Sequence, residues 1–200
     1  MNGMINLSVD ARQLRLDPRE LSSRLGGAFD ETDKTYQVLL DEVIEASRPA
    51  YVATRVKLNR ENGGITVGSM TSYSSALSKI AIGADFAFAL VATLGVGIDR
   101  LILKRVQKSP TEAFIIDAIA DALVEALCDF AESEITRAVI TKPRFSPGYA
   151  DLELALGREL LAITGADKSL GIRMTQSGLM VPKKSVNALI IIEQEQGRGE

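Results

Sequence analysis

Tyr51-Val52-Ala53-Thr54-Arg55-Val56-Lys57-Leu58, then Asn62-Gly63-Gly64, then Ile65-Thr66-Val67, is the stretch that decides the architecture. Val52, Thr54, Val56 and Leu58 recur at every second position, the period of a half-buried strand. Asn-Gly-Gly is a turn signal, so Ile65 to Val67 is expected to fold back as the hairpin partner. A hairpin reverses the chain without a crossover helix and so commits the sheet to antiparallel pairing at its start.

Helices flank this hairpin. Asp17-Pro18-Arg19-Glu20 is a helix start, with Asp as cap and Pro in the first turn, and Gly26-Gly27 stops it. Tyr36, Leu39, Leu40, Val43 and Ile44 predict a second helix over 33–47, closed by Pro49. A short helix is expected over 72–82, and the nearly continuous apolar run 85–93 predicts a central strand covered on both faces. Ser109-Pro110-Thr111-Glu112 opens the longest helix, to about Arg137, with Phe114, Ile115, Ala118, Ala122, Ala126 and Phe130 as its buried stripe. A Pro- and Gly-rich loop over 141–149 precedes a helix over 151–164 stopped by Gly165, and strands are expected over 171–175 and 185–192. This order lacks regular βαβ alternation. It predicts an α+β fold, helices wrapped around a mostly antiparallel twisted sheet. The expected organisation is a single domain: an N-terminal helical segment (1–30), a core (31–192) and a flexible tail (193–200).

Bulk composition narrows the chemistry. The 200 residues carry 23 Lys plus Arg against 26 Asp plus Glu, a net charge of −3, with no basic run longer than Lys183-Lys184. That argues against a nucleic-acid partner. Histidine is absent and Cys128 is the single cysteine, so the usual imidazole base, the Ser-His and Cys-His pairs and thiolate metal clusters are excluded. The longest apolar stretch, Phe86 to Gly97, falls short of the roughly 20 residues a bilayer requires. With no signal pattern at the start, the expectation is a cytoplasmic protein without a membrane partner.

Three local patterns invite functional readings. Gly95-Val96-Gly97 sits between a strand and a helix, but Arg100 occupies the place of the third glycine of a dinucleotide fingerprint, so a tight turn is expected. The acidic pairs Asp41-Glu42 and Asp129-Glu132 are expected to face water. Arg144-Phe145-Ser146-Pro147-Gly148-Tyr149-Ala150-Asp151 differs in kind. It sets a planar cation suited to a carboxylate, a rigid proline, a bare glycine backbone and a ring face able to attract a cation within six residues. A zwitterionic amino acid bearing a sulfonium suits such a set. So does a structural turn whose arginine caps the preceding helix.

At this motif the sequence resembles the activation domain of cobalamin-dependent methionine synthase, and more closely its free-standing bacterial relatives, whose Arg-Phe-Ser-Pro-Gly-Tyr loop is matched in full by Arg144 to Tyr149. Met174-Thr175-Gln176-Ser177-Gly178-Leu179-Met180-Val181-Pro182-Lys183-Lys184-Ser185-Val186 is similar to the family's Leu-Thr-Glu-Ser, Met, Pro and Ser-Val segment. Asp121 to Ala126 is similar to its glutamate-bearing helix, and Ala92 to Gly95 also has a family look. The resemblance implies an S-adenosylmethionine (AdoMet)-binding component of a methionine synthase-type methyltransferase system. Its task would be reductive methylation of an oxidised cob(II)alamin or other corrinoid, and whether the chain itself counts as an enzyme stays open. In that reading Arg144 binds the AdoMet carboxylate and Glu125 faces its positive groups. Backbone around Ser146, Pro147 and Gly148 holds the adenosyl part, and Tyr149 lies near the sulfonium. The implied partners are a corrinoid-binding protein or split methionine synthase carrying the cobalamin, and a flavodoxin or ferredoxin-type electron donor. Gln176 departs from the family's glutamate, and no tyrosine follows Ile192 to supply a further contact. The alternatives are a non-catalytic docking partner of a corrinoid protein with weakened or lost AdoMet binding, and an unrelated enzyme using the loop for another amino acid.

Overall fold

The structure, a computed structural model, describes residues 4–27, 30 and 32–195. The chain opens with strand β1 (Met4–Ser8), a short 3-10 turn (Ala11–Gln13) and helix α1 (Pro18–Arg24). The N-terminal segment expected to be helical therefore begins as a strand, because the edge of the next strand offers it a partner: Met4 to Ser8 pair with Thr54 back to Ala50. Helix α2 (Lys34–Ala46) follows, its first N–H groups capped by the Asp33 carboxylate.

The hairpin is present and longer than its alternation indicated. Strand β2 spans Ala50–Glu61 and β3 spans Gly64–Val67, with Asn62 and Gly63 both at positive φ (51° and 80°) in the connection. Such a turn twists with the strands it joins. A second reversal adds β4 (Met70–Ser72), taken from the start of the expected short helix, which becomes α3 (Ser75–Ile80). Next come β5 (Phe86–Thr93), α4 (Val96–Val106), α5 (Pro110–Thr136), β6 (Val139–Thr141), α6 (Leu156–Thr164), α7 (Ala166–Ser169), a small β7–β8 hairpin (Arg173–Met174 and Met180–Val181) and β9 (Ser185–Glu195). The main sheet runs β4-β3-β2-β5-β9-β6, with β1 also on β2, and every pairing is antiparallel. This is an α+β fold. Residues 193–195 of the expected tail belong to β9, where Gln194 and Glu195 pair with β6 and Glu193 falls at a register shift; residues 196–200 lie outside the described residues.

The central strand β5 is covered on both faces. Leu90 and Ala92 join Tyr51, Ala53 and Ile190 under α2, α4 and α5, while Ala87 and Ala89 join Leu58, Leu189 and Ile191 under α3 and α6. That is why the run reads as continuously apolar although its pairings are antiparallel. Helix α5 buries more than one stripe, because α1, α2 and α4 pack on it as well as the sheet. Ile116, Ile119, Leu123 and Leu127 are its main buried side chains, whereas Phe114, expected in the stripe, is exposed.

The Gly95-Val96-Gly97 turn has a packing cause. Gly95, at φ 79°, starts α4, and a Cβ on Gly97 would lie 2.0 Å from the Ala46 carbonyl oxygen of α2. We expect Gly97→Ala to push α4 off α2 and cost about 1–3 kcal/mol, as overpacking does. A lower urea midpoint with unchanged far-ultraviolet circular dichroism checks this.

Candidate functional site

The site forms where β9 loses its neighbour. Phe145 bridges Leu189, its N–H donating to the Leu189 carbonyl at 2.8 Å and its carbonyl accepting from the Leu189 N–H at 2.9 Å. The chain then turns away through Ser146 to Tyr149, so the first residues of β9 keep an uncovered edge. Strand alternation turns the main-chain N–H and C=O of Asn187, two residues before Leu189, toward that same open side. A small open cavity of about 200 Å³ occupies the place. Its walls are Glu125 of α5, the loop residues Ser146, Pro147 and Tyr149, Leu154, the hairpin residues Met174, Gly178 and Met180, and Ser185 to Asn187 of β9. This volume lies below the roughly 300–1,000 Å³ of enclosed ligand pockets. A molecule seated here keeps one side open.

The structure thus brings together four of the six residues singled out in the sequence: Glu125, Ser146, Pro147 and Tyr149. Gly148 belongs to the same loop but not to the cavity wall. Its N–H donates to the Leu152 carbonyl at 2.8 Å, its φ is 92°, and a Cβ there would lie 2.9 Å from Leu154 Cδ2. The glycine serves the turn itself.

Arg144 lies behind the wall. Its Nη1 donates to Asp129 Oδ1 at 2.6 Å and to Glu132 Oε1 at 3.1 Å, and its Nη2 donates to Glu125 Oε2. Partial burial works against its charge, but the hydrogen bonds to Asp129 and Glu125 and the field of Glu132 outweigh that and raise its pKa above the usual arginine value. The guanidinium grips carboxylates along the flank of α5, not the carbonyls at its end. Asp129 faces water as expected, 71% exposed, and holds Arg144 as well, whereas Glu132 departs from the expectation: it is three-quarters shielded and turned to the same guanidinium. A second clamp lies further up α5, where the buried Lys184 pairs with Asp117 at 2.8 Å and Asp121 at 2.7 Å. It fixes the start of β9, and with it the Ser185 side of the cavity.

The opposite wall is braced by carboxylates that cross between segments. Asp151 accepts from the Ser74 hydroxyl and from the N–H groups of Ser75 and Ala76, capping α3. Glu153 accepts from the Ser72 hydroxyl, and Glu159 accepts from the N–H and hydroxyl of Ser69. Because Asp151 caps α3, and Ala150 adopts a left-handed φ of 50°, the helix expected from Asp151 starts only at Leu156. Gly157 lets α6 approach the wall: a Cβ there would lie 2.9 Å from both Asn187 Nδ2 and Met174 Cε. Leu154, Met174, Met180 and Asn187 were not singled out as site residues. The sequence signal for Met174 and Met180 was the similarity of the 174–186 segment to the methionine synthase activation domain. Nothing local marked Leu154 or Asn187.

An α+β chain with an open cleft at the edge of its sheet is the class these features define. The crystal structure of the MetH reactivation domain bound to AdoHcy has the same fold: it superposes with a TM-score of 0.72, over 100% of this chain and 81% of that one, at 17% sequence identity. No family model matches the sequence, and no curated protein matches it. Among the described residues, no helix is long and apolar enough to cross a membrane, and no cluster of metal-ligating side chains occurs.

Two expected outcomes follow from this geometry. The hydrogen bonds from Ser74, Ser75 and Ala76 hold the Asp151 carboxyl well below the usual carboxylate range. A depressed folded-state pKa stabilises the fold above the unfolded value and loses that contribution as the pH drops below it. Acid titration of stability should therefore fall below about pH 4 in the native chain and be flatter, from a lower starting point, in Asp151→Asn. Burial pushes the Cys128 thiol up to about 12, with Glu125, Asp129 and Glu132 adding to the effect against Arg144. Cys128 should resist thiol reagents at pH 8 until the protein is unfolded in urea, which mass spectrometry of alkylated samples checks.

Proposed function

We propose that the chain is an AdoMet-binding module that presents the sulfonium methyl group to an oxidised corrinoid carried by a separate methyltransferase, supporting its reductive methylation. The observation that carries this reading is the cavity at the uncovered edge of β9. It joins the Ser146–Tyr149 loop to Glu125 within a fold whose solved relative was crystallised with AdoHcy.

The donor set fits the ligand. Glu125 supplies a negative charge beside an otherwise uncharged wall, and Arg144 stands behind it for the amino-acid end. Pro147, Leu154, Met174, Met180 and Val186 offer apolar surface, and the β9 edge offers main-chain groups to a flat heterocycle. Tyr149, 70% exposed, presents a ring face at the mouth where a sulfonium would lie. The corrinoid's cobalt, once reduced by one electron from the flavodoxin or ferredoxin-type donor, would accept the methyl group and leave AdoHcy. This chain's residues bind, orient and shield the donor, and none needs to move a proton. The shallow cavity supports transfer to a partner, since the donor keeps an open side. Tyr149, Leu154 and Leu179 are exposed large apolar side chains on the segments that frame it, a surface suited to a partner's apolar face. A corrinoid protein, or the corrinoid subunit of a split methionine synthase, and a flavodoxin or ferredoxin-type donor complete the system.

A second reading, a docking partner of a corrinoid protein that has lost AdoMet, draws on the three carboxylates already occupying Arg144. Calorimetric titration with AdoMet separates the two. The first reading expects saturable binding, weakened about threefold to thirtyfold in Tyr149→Ala, the range for loss of a ring over a cation. No heat at millimolar AdoMet would leave only the docking role.

A further inference from the structure

A second cavity, of about 390 Å³, shares no wall residue with the cleft. It is a trough between α2 and the segment that joins β1 to α1. Leu14 and Leu16 of that segment and Leu21 of α1 line it, facing Leu40 and Ile44 of α2, with Leu123 of α5 beside them. Tyr36, Leu40 and Ile44 recur at every fourth position and so share one face of α2. The stretch of helix they mark is about 12 Å long. The volume falls within the roughly 300–1,000 Å³ of ligand pockets.

Local structure explains why the trough stays open. The connecting segment makes one 3-10 turn and then runs irregularly to Asp17, so it sinks only Ala11 and Leu14 fully into the core. Leu16, Leu40 and Ile44 are left half-buried. An apolar occupant would take that remaining surface out of water.

Charge at the trough has one sign. Arg12 is its only charged wall residue, and Tyr36 and Gln37 are its uncharged polar side chains. The Arg12 guanidinium has no ion pair or hydrogen-bond partner among the described residues. The same holds for Arg15 on this segment and Arg19 at the start of α1. The acids around them are already engaged. Asp10 and Asp17 accept from the main-chain N–H groups of Arg12 and Arg19, and Glu20 holds Arg24. Arg12 also borders a neighbouring hollow with Glu45 and Arg48. Arg48 is turned there to the carbonyls of Glu45 and Ser47, and no ion pair joins Arg12 to Glu45. A chain of net charge −3 thus places three unpaired arginines beside a leucine-lined trough.

We propose that the trough binds one single-chain amphiphile with an anionic head, a medium-chain fatty carboxylate. The alkyl chain lies along α2 over Leu40 and Ile44, and the carboxylate meets the Arg12 guanidinium, whose fork of donors matches it. A cationic amphiphile lacks a partner, since no carboxylate lines the trough. A peptide segment fits less well, because its main-chain N–H and C=O groups would meet leucine walls that cannot answer them. The site is independent of the AdoMet reading.

The test uses the full chain and straight-chain probes kept below their micelle concentrations. Calorimetry is expected to show one saturable site for decanoate, tighter than octanoate by roughly fourfold to sixteenfold, the range for two methylenes half to fully buried. Decylammonium should bind the native chain about threefold more weakly or worse, and Arg12→Glu should reverse that preference. Ile44→Trp fills the trough from α2 and Leu16→Trp fills it from the connecting segment. Whichever keeps the native melting temperature should no longer bind decanoate. Equal binding of decanoate and decylammonium by the native chain would overturn the proposal. So would native-like decanoate binding by a folded trough-filling variant, or the lack of any saturable site. Sedimentation with phosphatidylglycerol vesicles should leave the chain in the supernatant. Arg12-dependent capture by the vesicles without decanoate binding would assign these arginines to a membrane surface and overturn the fatty carboxylate.

Discussion

A strand that is paired along only part of its edge leaves main-chain donors and acceptors that something must answer. In this chain β9 lies against β5 over most of its length, but among the described residues its other side is covered only toward the far end, by β6 and Lys142, and at one further point by Phe145. Single-point pairing at Leu189 is what lets the chain swing out through Ser146 to Tyr149. The cavity, the outward aim of Asn187 and the exposure of the Tyr149 ring all follow from that departure. Were the bridge continued for two more residues, the loop would lie flat on the edge and there would be no cleft.

Charge fixes what hydrogen bonding along the strand leaves loose. Lys184 clamps the start of β9 to Asp117 and Asp121, and Arg144 clamps the departing loop to Glu125, Asp129 and Glu132. Both grips close on the same flank of α5. Removing a partner from the more buried clamp would strand Lys184, only 7% exposed, away from water. The clamps therefore set geometry more than they add stability, because the cost of taking the charges out of water offsets much of their attraction.

Much of the fold was legible where the signal is local. The Asn62-Gly63 turn, the caps at Asp17 and Ser109, the stop at Gly165 and the apolar run of β5 each act within a few residues of themselves. What escaped depends on partners distant in sequence. Strand β1 exists because β2 has an edge to fill, and β4 and β6 are three-residue strands with no period to detect. Asp151 looked like the opening of a helix, yet its carboxylate serves the serines before α3. The same division holds at the site. The loop motif and Glu125 could be singled out in the chain, and the structure brings Ser146, Pro147, Tyr149 and Glu125 to one cavity. The position of Arg144 behind that cavity could not be read, because it depends on which face of α5 the loop meets. Nor could Leu154 or Asn187, which reach the wall only through the packing of α6 against β9.

Every wall residue of the cleft falls between positions 125 and 187. The described residues of the first hundred, which hold β1 to β5, α1 to α3 and the start of α4, supply none. For the cleft, the chain thus separates into a stretch that carries chemical identity and a larger stretch that carries mechanical support. Changes in the support can reach the cleft only through how firmly the sheet and α5 are held. Such changes should alter how often the cleft exists without altering the groups that line it.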